Sequence, residues 1–440
     1  MDPQTLAIIV LVAGIFFGIL LSLPIGITIG LPSFFAIVIM IGDFPIAAEN
    51  SATRMFTGMN NFTLLAIPFF ILAGAIMNKG GIASRLVDAA LVLVGRLPAG
   101  LAHTNVVANS MFGAVSGAAV AAAAAVGTVM NPRLIKDGYS KPWVAAVNVA
   151  SAPSGMLIPP SNTFIVYSLV SSTSIAALFM AGVGPGLVWT VACMIVVALT
   201  QKANRVEAVE LPPRLSFKEA SIVIWRAVPS LLMIFIVIGG ILMGWFTATE
   251  SSAIAVVYCL VLGFVYRELK IKDIPTVLVD SGRTTAIVML LVGVSSMLSF
   301  VMSFAQIPVI IKAVMLGISD SSTVILIITM VFLLIIGCFM DPTPAILIFV
   351  PIFLPIVSSL GVDPVHFGTM VVYSMCVGVI TPPVGNVLFV GARIAGLRLE
   401  PVIGKLIWFI VALVIGLFIV VFIPQISLWL PQSLGLLSAV

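Results

Sequence analysis

No Asp, Glu, Lys or Arg occurs from Leu97 to Pro132, from Pro142 to Gln201, or from Leu406 to Val440. Runs of that length and polarity belong in hydrocarbon, where a helical span needs about 20 apolar residues. Over the 440 residues 61% are hydrophobic and 8% charged, against roughly 45–50% and about 25% in soluble domains. A water-facing surface cannot be built from that composition. The expected fold class is therefore an all-α polytopic membrane protein of about a dozen hydrophobic helices.

The first apolar stretch, Leu6 to Leu23, lacks a basic n-region and a small-residue cleavage site, so it is expected to stay as a helix. The net charge of +4 is scattered over short loops rather than gathered in a stripe, which gives nucleic-acid binding no support. Lys202, Arg205, Arg214 and Lys218 form one basic loop, and Arg267, Lys270 and Lys272 another, around a pair of apolar segments. Both loops are expected in the cytoplasm by the positive-inside rule. A single long apolar helix after Lys405 would then carry the C-terminus to the opposite side. Cys193, Cys259, Cys338 and Cys376 lie inside apolar runs without CxxC spacing and read as reduced thiols rather than disulfides or metal ligands.

The longest hydrophilic stretch, Gln201 to Ser221, divides the hydrophobic segments into two groups. Pro132 and Pro355, Gly138 and Gly361, Pro159 and Pro382, and Pro160 and Pro383 recur across it at one spacing of 223 residues. A shared spacing points to an internal repeat of two halves. Each half orders its segments alike: long apolar helices, two short apolar segments joined by a tight tip, a polar turn, then an apolar helix interrupted by Pro-Pro. The short segments meet near Ser116-Gly117 in the first half. In the second, 323–339 meets 345–356 at Met340-Asp341-Pro342-Thr343-Pro344. At about 1.5 Å per residue such segments are marginal for a crossing, and re-entrant hairpins fit better than spanning pairs.

Two prolines in succession remove backbone donors and leave a helix unwound. Irregular backbone at membrane depth is tolerated only where it is buried in protein or lines a cavity. Transporters use such breaks: half-helix N-termini face an anionic group, while unwound carbonyls and small hydroxyls coordinate a cation. Sodium, a hard cation, takes oxygen ligands. The candidate cation ligands are Ser116, Ser151, Ser154 and the nearby carbonyls in the first half, and Asp341, Thr343, Thr381 and the Gly378 carbonyl in the second. Ser116, Pro159, Asn162, Pro382, Gly385 and Asn386 are the candidates for substrate contact, with Arg283 and Arg393 the nearest basic side chains. Asp341, flanked by apolar segments, is expected to be buried and to lend charge to a cation site. A plain Pro kink eased by Ser, Thr and Gly is the simpler alternative, and the matching breaks in both halves weigh against it. Glu250 reads as the closing residue of a Thr247-x-x-Glu250 capping box. His103 and His366 are distant in sequence and have no carboxylate companions, so neither is assigned a catalytic or metal role.

The segments SGAAVAAAAAVGTVMNP, KDGYSKPWVAAVNVASAPSGMLIPPSN, LFMAGVGPGLVW, GWFTATESSA, CFMDPTPAILIFVPIFLP and GVITPPVGNVLFV resemble the large membrane subunit of tripartite ATP-independent periplasmic (TRAP) transporters, over essentially the whole chain. The resemblance implies a multi-pass protein of the bacterial inner membrane working by an elevator mechanism with sodium (Na+) as coupling ion. It also implies a small four-helix membrane partner and a periplasmic binding protein that delivers an organic acid. Likeness to sialic acid members favours that solute over a C4-dicarboxylate. On this reading 1–96 and 222–318 are scaffold helices, 97–200 and 319–400 are transport-domain hairpins with their broken helices, 201–221 is a cytoplasmic linker, and 401–440 is a C-terminal helix. Family sodium sites, where tips meet breaks, map onto Ser116-Gly117 with Ser151 to Gly155 and onto Asp341 to Thr343 with Gly378 to Thr381. Ser161-Asn162-Thr163 follows Pro-Pro instead of sitting at a tip, so no tip role passes to it. A self-sufficient sodium/organic-anion symporter, a passive channel and an intramembrane enzyme are the competing readings. The last would need a clustered nucleophile, base or metal set, and the sequence offers none.

Overall fold

A computed structural model describes residues 2–21, 23–206, 217–319 and 321–437. Among the described residues the regular structure is helical, with no strand beyond one isolated bridge between Tyr139 and Arg205. The first half opens with α1 (Pro3–Leu20), α2 (Ile25–Ile41), α3 (Phe44–Met59), α4 (Ala66–Lys79) and α5 (Ile82–Val94). A hairpin of α6 (Gly100–Ser116) and α7 (Ala119–Lys136) leads to a broken helix in three pieces, α8 (Lys141–Ser151), α9 (Ser154–Leu157) and α10 (Asn162–Ser171), and then to α11 (Ile175–Thr200). The second half runs α12 (Phe217–Leu242), α13 (Ala248–Val265), α14 (Ile274–Phe304) and α15 (Ile307–Ile318). The hairpin of α16 (Ser322–Gly337) and α17 (Pro342–Ser359) follows. The broken pair α18 (Pro364–Gly378) and α19 (Asn386–Ile394) and two last helices, α20 (Leu399–Phe422) and α21 (Gln425–Ser433), complete the chain.

Seven of the described helices are long and apolar enough to cross a membrane, α17 among them, and four shorter ones are apolar. The molecule is turned outward as a membrane protein must be: Leu199, Trp225 and Phe235 are each more than 70% exposed. Polarity does not decide what lies inside, since lipid is as apolar as the core; close packing does. The broken helices occupy the centre. Every residue of α8 from Trp143 to Ser151 and of α18 from Val365 to Gly378 is buried. Around them α8 packs on α20, and α18 packs on α16, α11 and α20. Farther out, α4 packs on α13, α5 on α12, and the long α14 on α2, α3 and α4.

Several helix ends follow from their residues. Pro142, Pro342 and Pro364 each sit in the first turn, where the missing N–H has no partner to lose. Asp363 caps α18, its carboxylate accepting from Val365 N at 2.7 Å and His366 N at 3.2 Å. The capping box at α13 forms: Thr247 Oγ1 accepts from Glu250 N, and the Glu250 carboxylate accepts from Thr247 N. Three expectations change. Because Pro342 and Pro344 start a helix instead of holding a turn open, the second tip shrinks to Cys338–Asp341 and α17 begins earlier than the sequence suggested. The C-terminal segment 401–440 holds two helices, not one, parted at Ile423-Pro424. Of the linker assigned to 201–221, Lys202–Asn204 forms a 3₁₀ turn and Phe217–Ser221 already belongs to α12, while 207–216 lies outside the described residues.

Candidate functional site

The first tip is made of residues too small to keep backbone at a distance. α6 ends at Ser116, and Gly117 turns the chain with φ 62°, a left-handed conformation that glycine takes without a Cβ penalty. Its N–H closes on Gly113 O at 2.7 Å. The tip is seated on the first helical residue past the break: a Cβ built on Gly117 would lie 3.2 Å from both Asn162 N and Pro160 O. One turn deeper, Gly113 and Gly155 bring two backbones together, and a Cβ on Gly155 would fall 2.1 Å from Gly113 Cα. The Ser116 hydroxyl is buried and, among the described residues, has no hydrogen-bond partner.

The break itself is satisfied by side chains. Pro160 removes the donor that would serve the Met156 carbonyl in a continuous helix. Ser161 Oγ and Thr163 Oγ1 donate to that carbonyl instead, at 2.5 and 3.0 Å. These two hydroxyls, to which the sequence reading gave no role, thus replace the missing backbone bond. At the upstream turn, Trp189 Nε1 donates to Ala150 O at 2.9 Å.

In the second half Pro383 stands in the same relation to Val379, whose carbonyl accepts from Val387 N across the break at 3.1 Å. Gly385 N donates to Cys338 O at 3.2 Å, tying the tip to the break. A Cβ on Gly378 would lie 2.4 Å from Gly337 Cα. Asn386 Nδ2 donates to Asp341 Oδ1 at 2.6 Å. Both Pro-Pro bonds are cis. The two breaks are neighbours, since Cys376 Sγ of α18 approaches Pro153 O of the first break at 3.6 Å.

Some sequence-assigned residues converge and others do not. Ser116, Gly117, Gly155 and Asn162 meet at the first tip, with Pro159 in the adjoining loop; Asp341, Gly385 and Asn386 meet at the second, with Pro382 in its loop. Thr381 Oγ1 donates to Val377 O at 2.6 Å, and the Gly378 carbonyl accepts from Thr381 N at 2.9 Å, leaving lone pairs on both oxygens. Thr343 is half-buried at the start of α17. Asp341 is exposed, against the expectation of burial, because it stands outside the start of α17 on a short tip. Ser151 and Ser154 bond to α6 below the tip, at Asn109 and Ser110. Ser151 Oγ accepts from Asn109 Nδ2 at 2.8 Å and donates to Val147 O; Ser154 Oγ accepts from Ser110 Oγ and donates to Ser151 O. They belong to a buried network with Asn105, Asn109 and Asn148 that the sequence reading missed, although Asn at i and i+4 in a charge-free helix is a visible signal. Arg283 and Arg393 are exposed on α14 and in the last turn of α19.

The donor set is one of hydroxyl, carbonyl and carboxylate oxygens, the set a hard monovalent cation takes. At both sites the N-terminus of a half-helix, α10 or α19, lies beside the tip with the positive end of the helix dipole. The arrangement can hold an anion and a cation close together.

Comparison with known proteins gives the family. Residues 12–426 match the family described as the tripartite ATP-independent periplasmic transporter, DctM component. The Salmonella typhimurium protein YgiK is 48% identical over 98% of this chain and 99% of its own. The C4-dicarboxylate TRAP transporter large permease protein DctM of Pseudomonas aeruginosa is 38% identical, covering 89% of this chain and 91% of its own. The sialic acid TRAP transporter large permease protein SiaM of Vibrio cholerae is 34% identical, covering 92% and 95%. In fold alone the chain is similar to the YdaH transporter of Alcanivorax borkumensis, with a TM-score of 0.62 at 13% identity across 89% of this chain and 90% of that one.

Proposed function

The chain belongs to the DctM-component family of TRAP transporters, and we propose that it carries an organic anion across the membrane with sodium, by an elevator motion of its hairpins and broken helices against a fixed scaffold. Membership makes it a secondary-transporter subunit for organic acids, a multi-pass protein of the bacterial inner membrane and not an enzyme. The observation that carries the finer reading is the seating of each hairpin tip on the half-helix that follows a Pro-Pro break: Gly117 against Asn162, Asp341 against Asn386. Such a pairing places a half-helix N-terminus for an anion beside oxygens for a cation.

Sodium would be held by Ser116 and the carbonyls around Gly117 and Gly155 at one tip, and by Asp341, Thr343, Thr381 and the Gly378 carbonyl at the other. Asn162 and Asn386, with the N-terminal amides of α10 and α19, would hold a carboxylate. Carboxylate is the group that relatives named for C4-dicarboxylates and for sialic acid share, and sialic acid is kept as the first solute to test. The two halves support a pseudo-repeat by like geometry at equivalent positions: Gly138 and Gly361 turn at φ 85° and 81°, and Gly113–Gly155 is matched by Gly337–Gly378. On this reading 97–200 and 319–400 move, and the other helices stay fixed. A small helical subunit enlarges the scaffold and a periplasmic binding protein delivers the solute. Reconstituted with both partners, the chain should take up solute in a saturable manner only under an inward sodium gradient; alone it should take up little. Full sodium-driven uptake by the isolated chain would establish the self-sufficient symporter instead.

A further inference from the structure

We propose that a cleft between α5, α12 and the end of α13 binds the headgroup of a zwitterionic phospholipid, phosphatidylethanolamine, in the cytoplasmic leaflet. The cleft has a volume of about 430 Å³ and is lined by charges of both signs, Arg85 and Arg226 with Asp88 and Glu268. It sits at the end of the α12–α13 pair flanked by the basic residues Lys202, Arg205 and Lys218 and by Arg267, Lys270 and Lys272, which places it on the cytoplasmic side. Trp225, beside Arg226, is 73% exposed near the start of an apolar span, the interfacial position such rings prefer.

The two cations are presented differently. Arg85 is fixed: its guanidinium lies 3.6 Å from the Tyr266 ring centroid and donates to Gly81 O at 2.7 Å. Arg226 is exposed and, among the described residues, makes no ion pair. Two guanidinium groups on one cleft match the planar, charge-assisted bonding that a phosphate oxygen pair accepts. The acids separate one headgroup from another. Asp88 is engaged with Arg133 at 3.3 Å, which leaves Glu268, among the described residues, as the carboxylate of the cleft without an ion pair. A purely anionic headgroup would bring Glu268 nothing to pair with, whereas an ethanolamine headgroup carries an ammonium group a few bonds from its phosphate. Val223 and Pro229 give the cleft an apolar lining, and Pro229, three residues deeper in α12 than Arg226, lies on the side where acyl chains would lie.

The inference concerns the rim of the scaffold and is independent of the transport reading. It is tested by native mass spectrometry of the purified chain in detergent, titrated with phosphatidylethanolamine and with phosphatidylglycerol. The wild-type chain should retain phosphatidylethanolamine in preference. Arg226→Gln should lower that retention about fivefold, the contribution of one basic side chain near a headgroup. Glu268→Gln should abolish the preference while leaving phosphatidylglycerol binding intact, and Val223→Trp, which fills the cleft without altering a charge, should weaken both lipids. Equal retention of the two lipids by the wild type, or wild-type retention by both Arg226→Gln and Val223→Trp, would overturn the proposal. So would displacement of the lipid by equimolar inorganic phosphate, which would mark the cleft as a site for a soluble anion.

Discussion

A methyl group at Gly155 or Gly378 tests whether tip and break must touch for transport. At Gly155 the added Cβ would lie 2.1 Å from Gly113 Cα and 2.5 Å from its carbonyl carbon; at Gly378 it would lie 2.4 Å from Gly337 Cα. Ordinary carbon contacts are about 3.5–4.0 Å, so hairpin and broken helix must part by about 1.5 Å. Both sides of the contact are backbone, and no side chain can turn aside to absorb the clash. Overpacking of this kind costs about 1–3 kcal/mol, a modest fraction of the stability of a well-packed membrane domain. The functional effect should be larger, since a displacement of about 1 Å at a site of fixed geometry can cost up to two orders of magnitude in rate. Gly404→Ala is the control: its Cβ would meet nothing within 4 Å, and alanine within a helix is favoured over glycine by about 0.5–1 kcal/mol. Initial uptake rates in proteoliposomes containing both partners should fall at least tenfold for Gly155→Ala and Gly378→Ala, with a higher half-saturating sodium concentration, while Gly404→Ala matches the wild type. Wild-type uptake with unchanged sodium dependence in both tip variants would refute the reasoning, because the tips would then work without their seats.

Three further outcomes are expected. Ser116→Ala removes a buried hydroxyl with no partner among the described residues, so it should raise the unfolding temperature by the equivalent of about 1 kcal/mol and yet raise the half-saturating sodium concentration. A stabilised protein with unaltered sodium dependence would make Ser116 a packing residue. Asp341→Asn keeps the shape of the tip but loses the charge on the Asn386 bond, and it should weaken sodium activation severalfold with the protein still folded and inserted, as fluorescence size-exclusion and uptake together would show. Burial holds the Asp137 carboxyl above the usual range, with Arg205 opposing the shift. The stability it contributes is thus present below its unfolded pKa and lost as pH rises through the folded value, so Asp137→Asn should raise the unfolding temperature at pH 7 and lose that advantage in acid. An Asn variant less stable than wild type at neutral pH would reverse the sign.

Both breaks and the first tip are legible in the sequence, and the residues show why. The positions of both breaks follow from a covalent fact, a proline nitrogen with no hydrogen, and the helices do stop before Pro159-Pro160 and Pro382-Pro383. The Thr247–Glu250 box and the tip at Ser116-Gly117 are likewise matters of three or four adjacent residues. What local reading does not show is set by remote groups. Ser151 carries the right chemistry for a ligand, and its hydroxyl also accepts from Asn109, 42 residues away. Asp341 looked buried because its sequence neighbours are apolar, but its exposure depends on how far the tip projects.

The charge-free runs alone pointed to a helical membrane protein, because backbone polar groups in hydrocarbon must be satisfied inside the protein, and long continuous apolar runs suit helices rather than the short alternating strands of a barrel. Local chemistry of that kind is written in neighbouring residues and survives any packing. The tertiary structure decided what closes each break: hydroxyls of Ser161 and Thr163 in the first half, the Val387 amide in the second. It also decided that Asn386, 45 residues beyond Asp341, holds the tip it faces. Those pairings arise only when distant helices are brought within bonding distance, and one glycine-to-glycine contact at each tip sets that distance.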